Sequence, residues 1–208
     1  MVKRKAPFSF WIVLTFIVLS SIAVSIKFID AVLAERIMTI LSSIKPLHKV
    51  TENIPDMLTY LVAIGTMIMW IVYFYRHHKK KLDVETMFLK VAATALPAVY
   101  FVKLVLQFTF GRTSPRDWLI SHEPLVFNFI SHSGGSFPSG HMTVFTAFGT
   151  AVLLHYPKYK KPVIILLALF GSALIGTDYH FLSDVIAGAY LGFTATYFLW
   201  RLFERNET

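Results

Sequence analysis

Six stretches of this chain are so apolar that a bilayer, rather than water, must be their solvent. They run Phe8–Ile26, Met57–Tyr75, Phe88–Phe110, Met142–Tyr156, Pro162–Thr177 and Asp184–Phe203. In hydrocarbon every backbone N–H and C=O must find its partner within the segment, so each stretch has to be a helix. Crossing takes about 20 residues. The first two stretches are long enough and uncharged; the third needs Lys90 to snorkel and Lys103 to be accommodated; the fourth and fifth borrow residues from their flanking turns, the alternative for that short pair being a buried re-entrant hairpin. The expected fold is all-α, a polytopic six-transmembrane-helix bundle forming a single membrane domain over residues 1–208. Charged residues make up 15% of the chain, well below the roughly 25% usual in soluble domains.

Loop charge then orients the bundle. Lys3-Arg4-Lys5, the run Arg76 to Lys81, Lys158-Tyr159-Lys160-Lys161 and Arg201 with Arg205 occupy alternate ends of the six segments. The positive-inside rule puts them on the cytoplasmic side, so both termini are inside and residues around 30–54, 109–140 and 177–183 face out. This topology accounts for the net charge of +8 without nucleic acid as a partner. The first apolar run is longer than a signal-peptide core and lacks a small-residue cleavage site, so it is read as retained. In the first outer loop Leu33, Ile37, Ile40, Leu41 and Ile44 recur at helical spacing, the pattern of an amphipathic helix in the interface. The absence of cysteine excludes a thiolate nucleophile and a cysteine-held metal.

Two histidine motifs fall on the outer side. Pro138-Ser139-Gly140-His141 opens the fourth apolar run, and His180-Phe181-Leu182-Ser183-Asp184 opens the sixth. Asp184, four residues after His180, shares its helical face. There it can accept the Nδ1 proton and leave Nε2 free as nucleophile or base. Ser-Gly ahead of a helix presents unpaired backbone N–H groups suited to phosphate. These are parts of a phosphoryl-transfer site.

The two motifs resemble the second and third signatures of the type 2 phosphatidic acid phosphatase superfamily, which includes membrane lipid phosphatases, vanadium haloperoxidases and soluble acid phosphatases. The resemblance covers residues 103–192, and the six-helix arrangement is similar to the membrane branch. It implies His180 as the nucleophile that takes the phosphoryl group, Asp184 as its orienter, and His141 as general acid and then base. It also implies Ser139 and Gly140 as holders of the phosphoryl oxygens, with neither metal nor cofactor. The family's first motif is a Lys, six residues, then Arg-Pro. Aligned on the proline, Gln107 and Ser114-Pro115 stand there instead. The arginine of the third motif is replaced by Leu174. Arg112 is the best substitute ligand for the phosphate because its rigid fork suits phosphate oxygens, with Arg116 and Lys103 as further candidates. Nine residues of continuous helix would put Lys103 and Arg112 on opposite faces. Asp178, two residues before His180, is expected to pair with Arg112 or Arg116. His122 and His132 lie in the same outer loop without a partner that the sequence can name.

The implied function is an integral-membrane lipid phosphatase acting on a lipid phosphate or diphosphate in the outer leaflet of a plasma or bacterial inner membrane. Undecaprenyl diphosphate, phosphatidylglycerol phosphate, phosphatidic acid and lipid A phosphate are all suitable. The alternative is a phosphotransferase of the same superfamily, with a lipid hydroxyl as acceptor; sphingomyelin synthases resemble this arrangement and also lack the two arginines. A third reading is an inactive lipid-binding or transport protein, against which the intact histidine–aspartate set argues.

Overall fold

The computed structural model describes residues 7–42, 54–81, 83–130 and 135–206. Lys3-Arg4-Lys5, the outer part of the first loop with Ile44, and His132 lie outside the described residues. Within them the chain is helical, with one isolated antiparallel bridge between Arg112 and Phe127. Each of the six apolar stretches forms a helix.

Helix α1 (Phe8–Val24) passes through a π-helical turn (Ser25–Ile29) into α2 (Asp30–Ser42). The amphipathic segment therefore continues the first helix instead of starting a separate one. At about 1.5 Å per residue the 35 residues of Phe8–Ser42 reach about 52 Å, well beyond a hydrocarbon core of about 30 Å. Among the described residues four stretches are long and apolar enough to cross a membrane: Phe8–Ser42, α4 (Val84–Phe110), α7 (Lys160–Gly176) with the preceding turn Pro157–Tyr159, and α8 (Leu182–Asn206). The other two long helices are α3 (Ile54–His78) and α6 (Gly140–His155), the latter only 16 residues long.

The bundle is apolar outside as well as inside, as a lipid-facing protein is. Phe8, Phe16, Ile71, Phe101, Leu166 and Leu169 are all exposed. The buried core lies where α4, α6 and α8 meet, in clusters that include Val91, Ala92, Ala151 and Trp200, then Leu96, Val99, Val144 and Ala147. Without a hydrophobic drive between helices in lipid, close packing has to hold them. Gly188-x-x-x-Gly192 on α8 supplies it: a Cβ on Gly192 would lie 2.2 Å from the Thr143 carbonyl oxygen, and one on Gly188 2.5 Å from that of Ser139. Trp11 of α1 rests on Phe193, Tyr197 and Phe198 of α8.

Helix α4 ends where Gly111 turns left-handed, with φ 50° and its N–H donating to Gln107, a terminus glycine adopts without strain. The loop beyond is held in place. Thr113 N–H donates to Val126 O and Asn128 N–H to Gly111 O, and the short α5 (Pro115–Leu119) starts on the Ser114 cap. This loop, the N-terminus of α6, the N-terminus of α8 and the junction of α1 with α2 converge on one end of the bundle.

Candidate active site

Ser139 caps α6: its hydroxyl accepts from Met142 N–H, and its carbonyl accepts from Thr143 N–H and, at 2.7 Å, from the Thr143 hydroxyl. Its own N–H donates to the Asp184 carbonyl at 3.0 Å. That bond ties the two histidine motifs together. The rings of His141 and His180 come to 5.8 Å between centroids, and Tyr179 stands against both. His141 is half-buried, while His180, Asp184 and Ser139 are buried.

His180 Nδ1 faces Asp184 Oδ2 at 3.7 Å, an ion-pair distance too long for a hydrogen bond. Asp184 is held by other groups. Its Oδ2 accepts from Phe181 N–H at 3.0 Å, and its Oδ1 accepts from Arg112 Nη1 at 2.6 Å.

Arg112 differs from its expected part. Nη1 donates to Asp184 and to the Ser183 hydroxyl, and Nη2 donates to Asp30 at 2.8 Å. Both terminal nitrogens of the fork are therefore taken by carboxylates, so the bidentate grip on phosphate expected of Arg112 does not match this arrangement. Nε remains buried without a hydrogen-bond partner among the described residues. Asp30, only 1% exposed, escaped the sequence reading altogether.

Lys103 and Arg112 do not lie on one continuous helix, because Gly111 ends α4 between them. Lys103 lies over Gly140, where a Cβ would come 2.4 Å from its Cε and 3.1 Å from its Nζ. Gln107, one turn further on, donates to the Pro138 carbonyl at 3.1 Å and so steadies the loop that Lys103 covers. Leu174 packs with Met142 and Val185 in an apolar cluster; that position faces the core. Arg116 donates to the Thr177 carbonyl at 3.1 Å and stacks on Tyr179.

Asp178 does not pair with Arg112. It is buried with φ 51°, and its Oδ2 lacks a hydrogen-bond partner among the described residues. Burial pushes its carboxyl up to about 6, against the pull of Arg116. His122 is exposed in the outer loop. A polar cavity of about 520 Å³ opens over the site, with Arg112, Thr113, Ser114, Arg116, Tyr179 and His180 among its walls. The described residues contain no group of three or more His, Asp or Glu able to hold a metal.

Residues 85–208 match the family model of the PAP2 superfamily. This chain is a PAP2 superfamily member. Over 92 residues, 42% of its length, it is 35% identical to the lipid A 1-phosphatases of Rhizobium etli and Rhizobium johnstonii. The match spans 38% and 36% of those proteins. The fold is similar to that of a transmembrane PAP2-type phosphatidylglycerolphosphate phosphatase from Bacillus subtilis. The TM-score is 0.53, at 22% identity over 95% of this chain and 96% of that one. The PAP2 match contains both histidine motifs, and the departures at Gln107, Ser114 and Leu174 lie within it as well.

Proposed function

We propose that this chain is a membrane lipid phosphatase that hydrolyses a lipid phosphate or diphosphate through a phosphohistidine on His180. The observation that carries the reading is the facing pair of His141 and His180, 5.8 Å apart, with Asp184 behind His180 and a helix N-terminus beneath. Nε2 of His180 attacks phosphorus in line with the leaving lipid oxygen, which takes its proton from His141. His141, now neutral, draws a proton from water, and the resulting hydroxide releases phosphate and restores His180. The 3.7 Å gap from His180 to Asp184 is one that catalytic hydrogen bonds close as substrate binds. A phosphoryl transition state spreads charge over three oxygens, so fixed donors and cations carry much of the catalysis. Lys103 over Gly140, the Gly140 N–H, the Ser139 hydroxyl and Arg116 are the groups that meet them, with Arg112 contributing at most its Nε.

All six long helices span the bilayer in this reading, as one domain over residues 1–208, with α2 extending into the outer interface. Both ends of the chain are cytoplasmic and the site faces the outer leaflet. The similarity to proteins described as lipid A 1-phosphatases supports a lipid phosphate as substrate.

The test is phosphate release from a panel of lipid phosphates and diphosphates, with and without an added lipid acceptor. Release without acceptor supports hydrolysis; transfer that requires the acceptor supports the phosphotransferase alternative. An acid-labile, base-stable radiolabel from ³²P-lipid should appear on the wild type and be absent from His180→Ala. A labelled His180→Ala protein would overturn the mechanism.

A further inference from the structure

Charged groups seldom lie in apolar surroundings without a task, and the informative question is what they pair with. Asp30 follows directly on the π-helical turn Ser25–Ile29. Such a turn adds a residue to the helical repeat and re-aims the side chains beyond it, and it frequently marks a functional position. Here Asp30 is 1% exposed and turned into the bundle. Its Oδ1 accepts from Ser183 N–H at 3.2 Å, while Oδ2 accepts from the Ser183 hydroxyl and from Arg112 Nη2 at 2.8 Å. Asp30 therefore holds the first turn of α8, the helix that carries Asp184.

The remaining contacts form a chain of alternating charge. Arg112 joins Asp30 to Asp184 through its two terminal nitrogens, and Asp184 faces His180. The guanidinium also lies over the ring of Phe181, at 4.2 Å, and over that of Phe127, at 5.1 Å, contacts that help hold its fork in place. Arg112 with Asp184 alone would make a neutral pair, and the carboxylate would have little field left to offer an imidazolium beside it. A second carboxylate on the far side of the guanidinium changes that balance. Asp30, Arg112 and Asp184 together carry one net negative charge, and its nearest histidine is His180.

We infer that Asp30 is a positioning residue for the reaction at His180, acting through Arg112: it offsets the arginine's charge and aims it, so that Asp184 keeps its orientation and its negative field toward the nucleophile. The first helix, which carries neither histidine motif, is in this view a working part of the site. Asp30 does not line the cavity over His180, so its influence belongs on turnover and not on substrate binding. The inference rests on the phosphatase reading above.

The experiment uses the full chain in detergent or vesicles, with a lipid phosphate that the wild type hydrolyses, and compares Asp30→Asn, Arg112→Met and the double variant. Asp30→Asn keeps the shape and removes the charge. Its kcat should fall by about tenfold or more while KM stays within about twofold, the pattern of a group that supports the reacting one. In the Arg112→Met background Asp30 has lost its route through the guanidinium and its carboxylate is buried without its cation, while its tie to the Ser183 N–H is one that Asp30→Asn keeps through the amide oxygen. The added Asp30→Asn change should then cost no further activity and should ease folding. That comparison stands even where Asp30→Asn alone fails to fold. An unchanged kcat in Asp30→Asn overturns the inference, as does a rise in KM at constant kcat, or losses that multiply in the double variant. A wild type that releases phosphate from no lipid overturns the phosphatase reading, and this inference with it; an active wild type with an indifferent Asp30→Asn variant overturns the inference alone.

Discussion

Lys103 lies directly over Gly140, so close that a Cβ on the glycine would come 2.4 Å from the lysine Cε. The contact brings a cation from the third long helix onto the N-terminus of the helix that carries His141. A flexible side-chain end can retreat, so Gly140→Ala should fold normally while pushing the ammonium off the phosphate position. Activity should fall by about tenfold to a hundredfold, on the scale of losing one group that stabilises transition-state charge. Lys103→Met should lose as much and become insensitive to Gly140→Ala. Wild-type turnover in Gly140→Ala, measured as phosphate release, would rule out this contact as part of the site.

His180→Ala should lose turnover by several orders of magnitude while keeping the thermal midpoint within a few degrees. A chelator should leave the wild type active, since phosphoryl transfer to His180 with His141 as the acid uses no metal in the proposed mechanism. Loss of activity with chelator, restored by a divalent ion, would count against a histidine-only mechanism.

Gly192 and Gly65 make opposite predictions for the same substitution. A Cβ on Gly192 meets backbone atoms, 2.2 Å from Thr143 O and 2.9 Å from Ala147 N. Gly192→Ala must therefore push α6 and α8 apart, at a cost of about 1–3 kcal/mol, and separate His141 from Asp184. Nothing lies within 4 Å of a Cβ on Gly65, so Gly65→Ala should be neutral or gain up to about 1 kcal/mol. Thermal unfolding in detergent ranks the two; equal midpoints would contradict the packing.

The helices were legible because a run of apolar residues in lipid leaves the backbone a single choice. Their ends were less so: α3 continues past Tyr75 to His78, and α4 begins at Val84, because polar residues can extend a helix outside the hydrocarbon. The two histidine motifs were legible because each sits within a few residues of its partner group. Asp30 and Arg112 are 82 residues apart, and no local pattern links them. A π-helical turn has no sequence signature, so the rotation that brings Asp30 inward could not be read. Arg112 stands beside a phosphate motif in the sequence, and only the folded arrangement shows its two terminal nitrogens held by Asp184 and Asp30. Gly111 was a readable signal, since glycine at the end of an apolar helix commonly ends it. With the helix ended there, the opposite faces that Lys103 and Arg112 would take on a continuous helix do not arise.

Asp178 should make stability depend on pH in a direction unusual for an aspartate. Its carboxyl is raised from 3.8 to about 6, mainly by burial. The native state therefore holds a proton that the unfolded chain has released between about pH 4 and pH 6. Stability contributed by the protonated group is full below pH 4 and falls as the pH rises through about 6. Asp178→Asn keeps a residue that tolerates the left-handed backbone and has no charge to bury. Its thermal midpoint should match the wild type near pH 4 and exceed it at pH 7 to 8. Parallel midpoint curves for the two proteins would exclude this group as their source.

Sidedness decides which lipids the site can reach. The basic runs at Arg76–Lys81 and Lys158–Lys161 border the opposite end of the bundle from His141 and His180, and the positive-inside rule is strongest for short loops like these. The site should then act on the outer leaflet, without access to cytosolic nucleotides as phosphate donors. The chain contains no cysteine, so single reporters can be introduced without background. Ser121 and Lys80 are both exposed, on the loop beside the site and in the basic turn respectively. In intact cells Ser121→Cys should react with a membrane-impermeant maleimide, and Lys80→Cys should react only after permeabilisation. Labelling in the reverse order would turn the bundle over and move the substrate pool to the cytoplasmic leaflet.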